Sequence, residues 1–304
     1  MNAETNAVAQ SSVASPEAEG AWMALGRRMY WSVKREFWEN RSLYLAPLAV
    51  AAVFLLGFLV RSSHSLNMHA AGLTPMDQAA MFAQTYDLAA LVLMGTTFVV
   101  ALFYCIEALQ GERRDRSILF WKSLPVSDSV TVLSKAIVPL LLLPLLTFAI
   151  TFATQCIMLL LSAAILLATG QSLAMLSQLS LGQRWVGLFS HLVGGHGLWY
   201  APIYGFLLLV SAWARRAAFL WAVLPPLAIG VLEKVLFNTS HFASMLGSRI
   251  AGADSPPNAA TGISPMVHGM PSEHFASAGF WIGLALTAAC LWGAVRLRRY
   301  RGPN

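Results

Sequence analysis

The feature of this sequence that most limits its fold is a series of long apolar runs with almost no fixed charge. A helix of about 20 residues crosses the roughly 30 Å hydrocarbon core of a bilayer, and lipid offers no hydrogen-bond partner to the backbone of any open structure. Only 11% of the 304 residues are charged, whereas soluble domains are about one quarter charged. The chain is therefore predicted to be an all-α integral membrane protein with about six transmembrane helices. The predicted spans are residues 43–60, 88–106, 137 to about 160, 198–213, 217–237 and 277–295.

The basic residues cluster beside alternate ends of these runs. If the amino terminus lies inside, all but four of the 20 lysines and arginines fall on the cytoplasmic side; the four exceptions are Arg61, Arg184, Lys234 and Arg249. This asymmetry predicts that both termini lie in the cytoplasm. The predicted location is the cell inner (cytoplasmic) membrane, as a multi-pass protein. The net charge of +6 is then explained by topology, so membrane lipids are predicted as partners and nucleic acid is not.

Two alternatives remain open for residues 136–168, which form one apolar stretch. The stretch is either one long helix or a tight hairpin of two. A hairpin would move the arginine pair at 215–216 and the basic cluster at 296–301 outside, and no Gly or Asn turn interrupts the run. One long span, bent near Pro139 and Pro144, is therefore preferred.

The remaining segments are predicted from composition. Residues 1–21 read as a disordered cytoplasmic tail without a signal peptide, and residues 297–304 as a basic cytoplasmic tail. Outer loops are predicted at 61–86, 169–197 and 238–276. Leucines at near-helical spacing in 171–192 suggest an interfacial helix. All seven histidines fall in these loops, but no cysteine or carboxylate cluster completes a ligand set, so no metal site is predicted.

Residues 22–41 project as an amphipathic helix, with an apolar face and a basic face. Glu36 is an exception, because it falls on the apolar edge. Such a helix lies in the membrane plane with its cations near anionic headgroups. The alternative is a juxtamembrane charge cluster that only sets topology. The predicted membrane-interface residues are Trp22, Arg27, Arg28, Lys34, Arg35, Phe37 and Trp38.

The inner segment 108–135 begins with a charged half, which is followed by a short apolar run of four residues: Ile118, Leu119, Phe120 and Trp121. Ser127 or Asp128 is predicted to cap the third span. Aromatic residues and arginine dominate interface energetics, so this loop is predicted to dock on another protein. The alternative is that Phe120 and Trp121 only dip into the membrane interface.

The string KREFWENRSLYLAPL and the loop ERRDRSILFWKSLPVSD, followed by VLSK, resemble the permease subunits of ABC exporters of the ABC-2 class. The resemblance spans about 22–295 and implies a cytoplasmic elbow helix at 22–41, a six-span permease domain at 42–296 and a homodimer or heterodimer of permeases. It also implies that the loop docks on a separate ATPase subunit. The implied ATPase-facing residues are Glu112, Arg113, Arg114, Asp115, Arg116, Ser117, Phe120, Trp121 and Lys122.

The chain is not predicted to hydrolyse ATP itself. No Gly-Lys pair occurs in the sequence, and a phosphate-binding P-loop requires one. ATP and Mg²⁺ are therefore expected in the partner ATPase, with no cofactor bound by this chain. The rival hypotheses are a stand-alone secondary transporter or channel, and a membrane-embedded enzyme or assembly subunit.

Overall fold

The structure is a computed structural model that describes residues 16–65, 75–115, 127–168, 181–192, 197–251 and 277–300. Every regular element in these ranges is a helix, so the predicted all-α class is confirmed. The helices are α1 (Pro16–Glu39), α2 (Ser42–Ser65), α3 (Pro75–Glu107), α4 (Gln110–Arg114), α5 (Asp128–Ile137), a π-helical turn (Val138–Leu142), α6 (Leu143–Ala168), α7 (Leu181–Phe189), α8 (Gly197–Trp199), α9 (Ala201–Trp213), α10 (Ala218–Phe237), α11 (His241–Ala251) and α12 (Ala278–Tyr300).

Among the described residues, 5 helical segments are long and apolar enough to cross a membrane, or up to 6 if one bent pair counts as a single span. These segments are Ser42–Arg61, Ala83–Arg114, Asp128–Ala168, Ala218–Phe237 and Ala278–Tyr300, with Leu181–Trp199 and Ala201–Trp213 as the bent pair. The chain is a multi-pass membrane protein on this ground.

Residues 128–168 form one continuous helical segment of 41 residues, as predicted, and not a hairpin. The π-helical turn Val138–Leu142 carries Pro139 near its start. Proline has no backbone N–H and its ring crowds the preceding turn, so a local widening of the helix is a common accommodation. The predicted irregularity at the prolines is therefore absorbed without breaking the span.

The bundle is organised around α3 and around the parallel pair of α9 and α12, in which Pro202 lies near Gly283 and Leu209 near Gly293. Helix α2 packs on α3 and α6, whereas α9 packs on α12 and α3. Gly205 of α9 lies against α12, where an added Cβ would sit 3.2 Å from Thr287 Cα. Small residues of this kind let two membrane helices approach closely.

The segment before α9 enters the bundle. Leu188 and Leu192 are buried with Ala90 and Met94 of α3, and the α7–α8 part meets α9 at an angle of 45°. Residues 181–213 therefore form a bent span or a re-entrant segment, and α7 packs against helices α3 and α6.

Helix α10 is the least enclosed of the long helices. Only 6% of its apolar window is buried, and side chains such as Leu224, Leu227 and Val235 are exposed around its circumference. A helix that is apolar all round and exposed in isolation needs an apolar surrounding, which lipid supplies.

Candidate functional site

Four chain segments meet at one end of the bundle: the end of α1, helix α4, the start of α5 and the end of α12. The helices bring together three acidic and three basic side chains, which we call the ion cluster. Its members are Arg35, Glu36, Glu112, Asp128, Lys135 and Arg298. The formal charges balance.

Lys135 is the innermost cation of the ion cluster. Its Nζ lies 2.8 Å from Glu36 Oε1 and 3.1 Å from Glu112 Oε1. Tyr104 donates a hydrogen bond of 3.0 Å to Glu36 Oε2, and Arg35 donates one of 2.9 Å to Glu36 Oε1. Glu36 is only 1% exposed and Lys135 only 3%. Charges this deeply buried persist only when they are paired and hydrogen-bonded.

Arg298 joins the two ends of the loop that was predicted to dock on a partner. Its Nε lies 3.0 Å from Asp128 Oδ1, and its Nη1 contacts Glu112 Oε2. Glu112 precedes residues 116–126 and Asp128 follows them. Both ends of the loop are therefore fixed to the last helix of the bundle at one guanidinium group, whose planar fork suits two carboxylates.

The sequence of α5 explains its part in the cluster. Ser127 caps the helix, since its Oγ accepts from Val130 N at 3.3 Å, so the predicted cap is confirmed as Ser127. Asp128 then lies in the first turn, and Lys135 follows seven residues later on the same face. One face of α5 thus presents a carboxylate to α12 and an ammonium to α1.

A second contact fixes α4 to the end of α9. Ser211 Oγ accepts hydrogen bonds from Leu109 N and Gln110 N, both at 3.0 Å. Arg113 donates to the carbonyls of Ser211 and Ala212. A cation at the C-terminal end of a helix satisfies carbonyls that the helix leaves unpaired and complements its dipole. Helix α4 is therefore held on both α9 and α12.

The predicted loop residues separate into inward, outward and undescribed groups. Glu112 and Arg113 point into the contacts above. Arg114 and Asp115 are exposed, with Arg114 near Glu107 at 3.7 Å and near Asp115 at 3.4 Å. The other predicted loop residues lie outside the described part of the chain: Arg116, Ser117, Phe120, Trp121 and Lys122. The ATPase-facing role of the set stays a prediction.

The predicted interface residues lie on α1, where two faces differ. Lys34 lies over the rings of Trp31 and Trp38, at 5.0 and 4.9 Å from their centroids, and these two indoles are exposed. Arg27 and Arg28 are also exposed. The Trp22 side chain lies outside the described part. The position of α1 in the membrane plane stays a prediction.

The opposite face of α1 packs on α5. Phe37 stacks near Tyr44 with ring centroids 5.0 Å apart, and Arg35 joins the ion cluster. The structure therefore places Arg35 against protein, although helical projection had grouped it with the cations of the basic face.

Sequence reasoning missed most of the ion cluster. Glu36 gave one signal. A carboxylate on the apolar edge of an amphipathic helix is costly to bury unless a cation pairs with it. The spacing of Asp128 and Lys135 was a second signal. Arg298 gave none, because it sits in a basic run that topology already explained.

Two acidic residues outside the cluster, Glu233 and Asp87, have local roles. Glu233 accepts from His241 N and Phe242 N, at 2.7 and 2.8 Å, and so caps α11. Asp87 pairs with Arg184 and links α3 to α7. Within the described ranges, no group of three His, Cys, Asp or Glu side chains could hold a metal ion.

Acid should weaken the ion cluster through Glu36. Burial alone would raise the pKa of this carboxyl, but the charge and hydrogen bond of Lys135 and the hydrogen bond of Arg35 outweigh it, so the pKa is lower than the usual 4.5. A lowered folded-state pKa contributes stability that is full above the unfolded pKa and is lost as pH falls through the folded one. We expect the thermal unfolding midpoint in detergent to decrease as the pH is lowered below about 4.5. In Glu36→Gln the midpoint should depend less steeply on pH in that range.

The control for this pH series is Glu39→Gln. The Glu39 side chain is 51% exposed and lies at the edge of the cluster, with its Oε1 3.6 Å from Arg35 Nε. Partial burial raises the pKa of Glu39, so its removal acts in the opposite direction and Glu39→Gln should not flatten the acid loss. An acid slope that is the same in Glu36→Gln and in the wild type would contradict the assignment of that slope to Glu36.

Comparison of the chain with protein-family models, with curated proteins and with solved structures finds no match.

Proposed function

We propose that this chain is the membrane-spanning permease subunit of an ABC-type exporter, coupled through loop 116–126 to a separate ATPase subunit. The observation that supports it best is the ion cluster, which fixes both ends of that loop to the transmembrane bundle through Arg298. The resemblance of KREFWENRSLYLAPL and ERRDRSILFWKSLPVSD to ABC-2 permeases supplies the family.

The proposed mechanism follows from what the cluster connects. A force on the loop reaches α4 and α5 at its two ends, and from there α1, α9 and α12. Because these contacts are buried and paired, the connected helix ends move together. Nucleotide binding in the ATPase would then change the relative stability of two conformations of the bundle. The size of that change is set by the difference in the affinity of the ATPase for the two conformations.

The assembly in this proposal contains two permeases, alike or different, and two ATPases. The charged end of the bundle faces the cytoplasm, where ATP is found, and the chain lies in the inner membrane with both termini inside. The permease itself binds no nucleotide and carries no ATPase motif, so the chain is not an enzyme on its own.

A stand-alone secondary transporter or channel, and a membrane-embedded enzyme or assembly subunit, are the competing classes. An ion-coupled carrier is expected to place ionisable groups at mid-membrane. Among the described residues, Asp87 instead lies near the start of the apolar span Ala83–Arg114, paired with Arg184, and Glu36, Glu112 and Asp128 lie in the ion cluster at the charged end of the bundle. This distribution favours a protein that receives its energy from a partner.

The test is copurification with an ATPase encoded beside this chain. We expect Phe120→Ala/Trp121→Ala to reduce the copurified ATPase by about 30-fold or more, because truncating a central aromatic anchor costs about 2 kcal/mol or more. The bundle should still insert and elute as a single species. The matched control is Trp281→Ala, because Trp281 is an exposed indole of α12 near the end opposite Arg298.

Two results would contradict the proposal. One is the absence of any copurifying P-loop ATPase from membranes that contain the wild-type chain at its natural level. The other is equal ATPase recovery from the loop variant and the Trp281→Ala control.

A further inference from the structure

A cleft opens at the charged end of the bundle, beside the ion cluster and separate from it. Its walls are the end of α3, helix α4, the turn between α9 and α10, and the last residue of α12, and its volume is ≈ 1180 Å³. A cavity of about 300–1,000 Å³ already accommodates a drug-sized molecule. The lining residues are Phe103, Ile106, Glu107, Gln110, Arg113, Arg114, Ala214, Arg215, Arg216, Ala217, Ala218, Phe219 and Tyr300.

The cleft carries an excess of positive charge. Four arginines and one carboxylate line it. Arg114 lies 3.7 Å from Glu107, and Arg113 is engaged by the carbonyls at the end of α9. In the described part of the chain, Arg215 and Arg216 have no carboxylate partner. Two guanidinium groups are therefore available to an anion.

The turn that carries this arginine pair is tight and strained. Ala217 has φ 51°, in the left-handed region, and α10 begins at the next residue. An alanine in this conformation is strained, because its Cβ lies too close to the following carbonyl oxygen. The turn therefore holds Arg215 and Arg216 at the rim of the cleft while the chain reverses direction between two membrane helices.

The other walls of the cleft are apolar and open outward. Phe103 and Phe219 are 59% and 53% exposed, and they belong to the membrane helices α3 and α10. Their rings continue the apolar surface that lipid covers. The cationic rim of the cleft is therefore adjacent to an apolar wall that faces the hydrocarbon. A ligand that matches both surfaces is anionic at one end and apolar at the other.

We propose that this cleft binds an anionic phospholipid from the leaflet at the charged end. Arg215 and Arg216 hold its phosphate, for which the planar guanidinium fork is suited. Phe103 and Phe219 lie along its acyl chains. Basic pockets between membrane helices at the cytoplasmic side are suited to anionic headgroups. The site does not depend on the exporter assignment, because it needs neither the loop 116–126 nor an ATPase.

The experiment is a lipid titration of the detergent-solubilised full chain, followed by native mass spectrometry. Phosphatidylglycerol is the anionic probe and phosphatidylcholine of the same acyl chains is the reference. We expect the wild type to retain phosphatidylglycerol preferentially and Arg215→Gln/Arg216→Gln to bind it about 10- to 30-fold more weakly, since each arginine near an anionic surface contributes about a factor of five. Phosphatidylcholine binding should not change.

The matched control is Arg41→Gln/Arg296→Gln, which removes two exposed arginines that do not line the cleft. Each protein is first shown to be monodisperse with the wild-type unfolding midpoint in the absence of added lipid. A selective loss in the cleft variant supports the site. An equal loss in both variants means general attraction to a charged surface and overturns the proposal.

Two further outcomes would overturn the proposal in favour of another ligand. If soluble glycerol phosphate raises the unfolding midpoint as much as phosphatidylglycerol does, the ligand is a free phosphate and not a lipid. If the cleft variant keeps its phosphatidylglycerol but loses a copurifying protein, the arginines face a protein. If the cleft variant loses its preference for phosphatidylglycerol but still copurifies with the ATPase, the result supports the lipid site and does not contradict the proposed function.

Discussion

Lys135→Met is expected to lower the free energy of unfolding by about 3–5 kcal/mol, because it removes one partner of a buried ion network and leaves the others uncompensated. Lys135 forms ion pairs with both Glu36 and Glu112. With the ammonium gone, three carboxylates face two guanidinium groups at the base of the bundle. The measurement is an unfolding titration with a denaturing detergent, followed by tryptophan fluorescence.

The double variant Glu36→Gln/Lys135→Met separates charge balance from packing. It leaves Glu112 and Asp128 with Arg35 and Arg298, so the charges balance again. Replacement of a complete buried pair is often close to neutral, so the double variant should recover at least half of the stability that Lys135→Met loses. A double variant as unstable as the sum of its single substitutions would mean that the two residues act independently.

Lys34→Met is the matched control for this substitution. Lys34 lies over Trp31 and Trp38 on the outer face of α1, where a cation–π contact contributes about 0.5–1 kcal/mol. Its loss should therefore be small. Equal losses in Lys34→Met and Lys135→Met would contradict the structural role given to the ion cluster.

Gly197→Ala is expected to destabilise the bundle by about 2–3 kcal/mol or more, since overpacking a well-packed core has costs of this size. An added Cβ at this position would lie 2.1 Å from the Leu140 carbonyl oxygen and 3.1 Å from its carbon. Both atoms belong to the backbone of the π-helical turn, so no side chain can rotate away. The strain must separate α8 from the turn or distort the turn itself.

The matched control for Gly197→Ala is Gly95→Ala. Gly95 lies inside α3, where an added Cβ meets nothing within 4 Å. Alanine in a helix interior is about 0.5–1 kcal/mol more favourable than glycine, so this variant should unfold at the same or a higher detergent concentration. A Gly197→Ala variant as stable as Gly95→Ala would show that α8 does not contact the π-helical turn.

Local properties of the chain predicted the all-α membrane class correctly. The apolar runs of about 20 residues indicated that class, because each run has to satisfy its own backbone in lipid. The continuity of 136–168 was predicted from the absence of turn residues and from the positions of distant arginines. Ser127 was identified as a cap from its place before the third span. The helix class and the cap use only neighbours in sequence, and the continuity of the third span also uses the distribution of charge along the chain.

The functional site depends on residues that are far apart in sequence, and so the tertiary structure decided it. Glu36 and Lys135 are separated by 99 positions, and Arg298 meets Glu112 across 186. The sequence alone marks these residues only as charges near span ends. Whether such a charge is solvated or buried depends on which helix ends pack together, and the large desolvation penalty makes that packing specific.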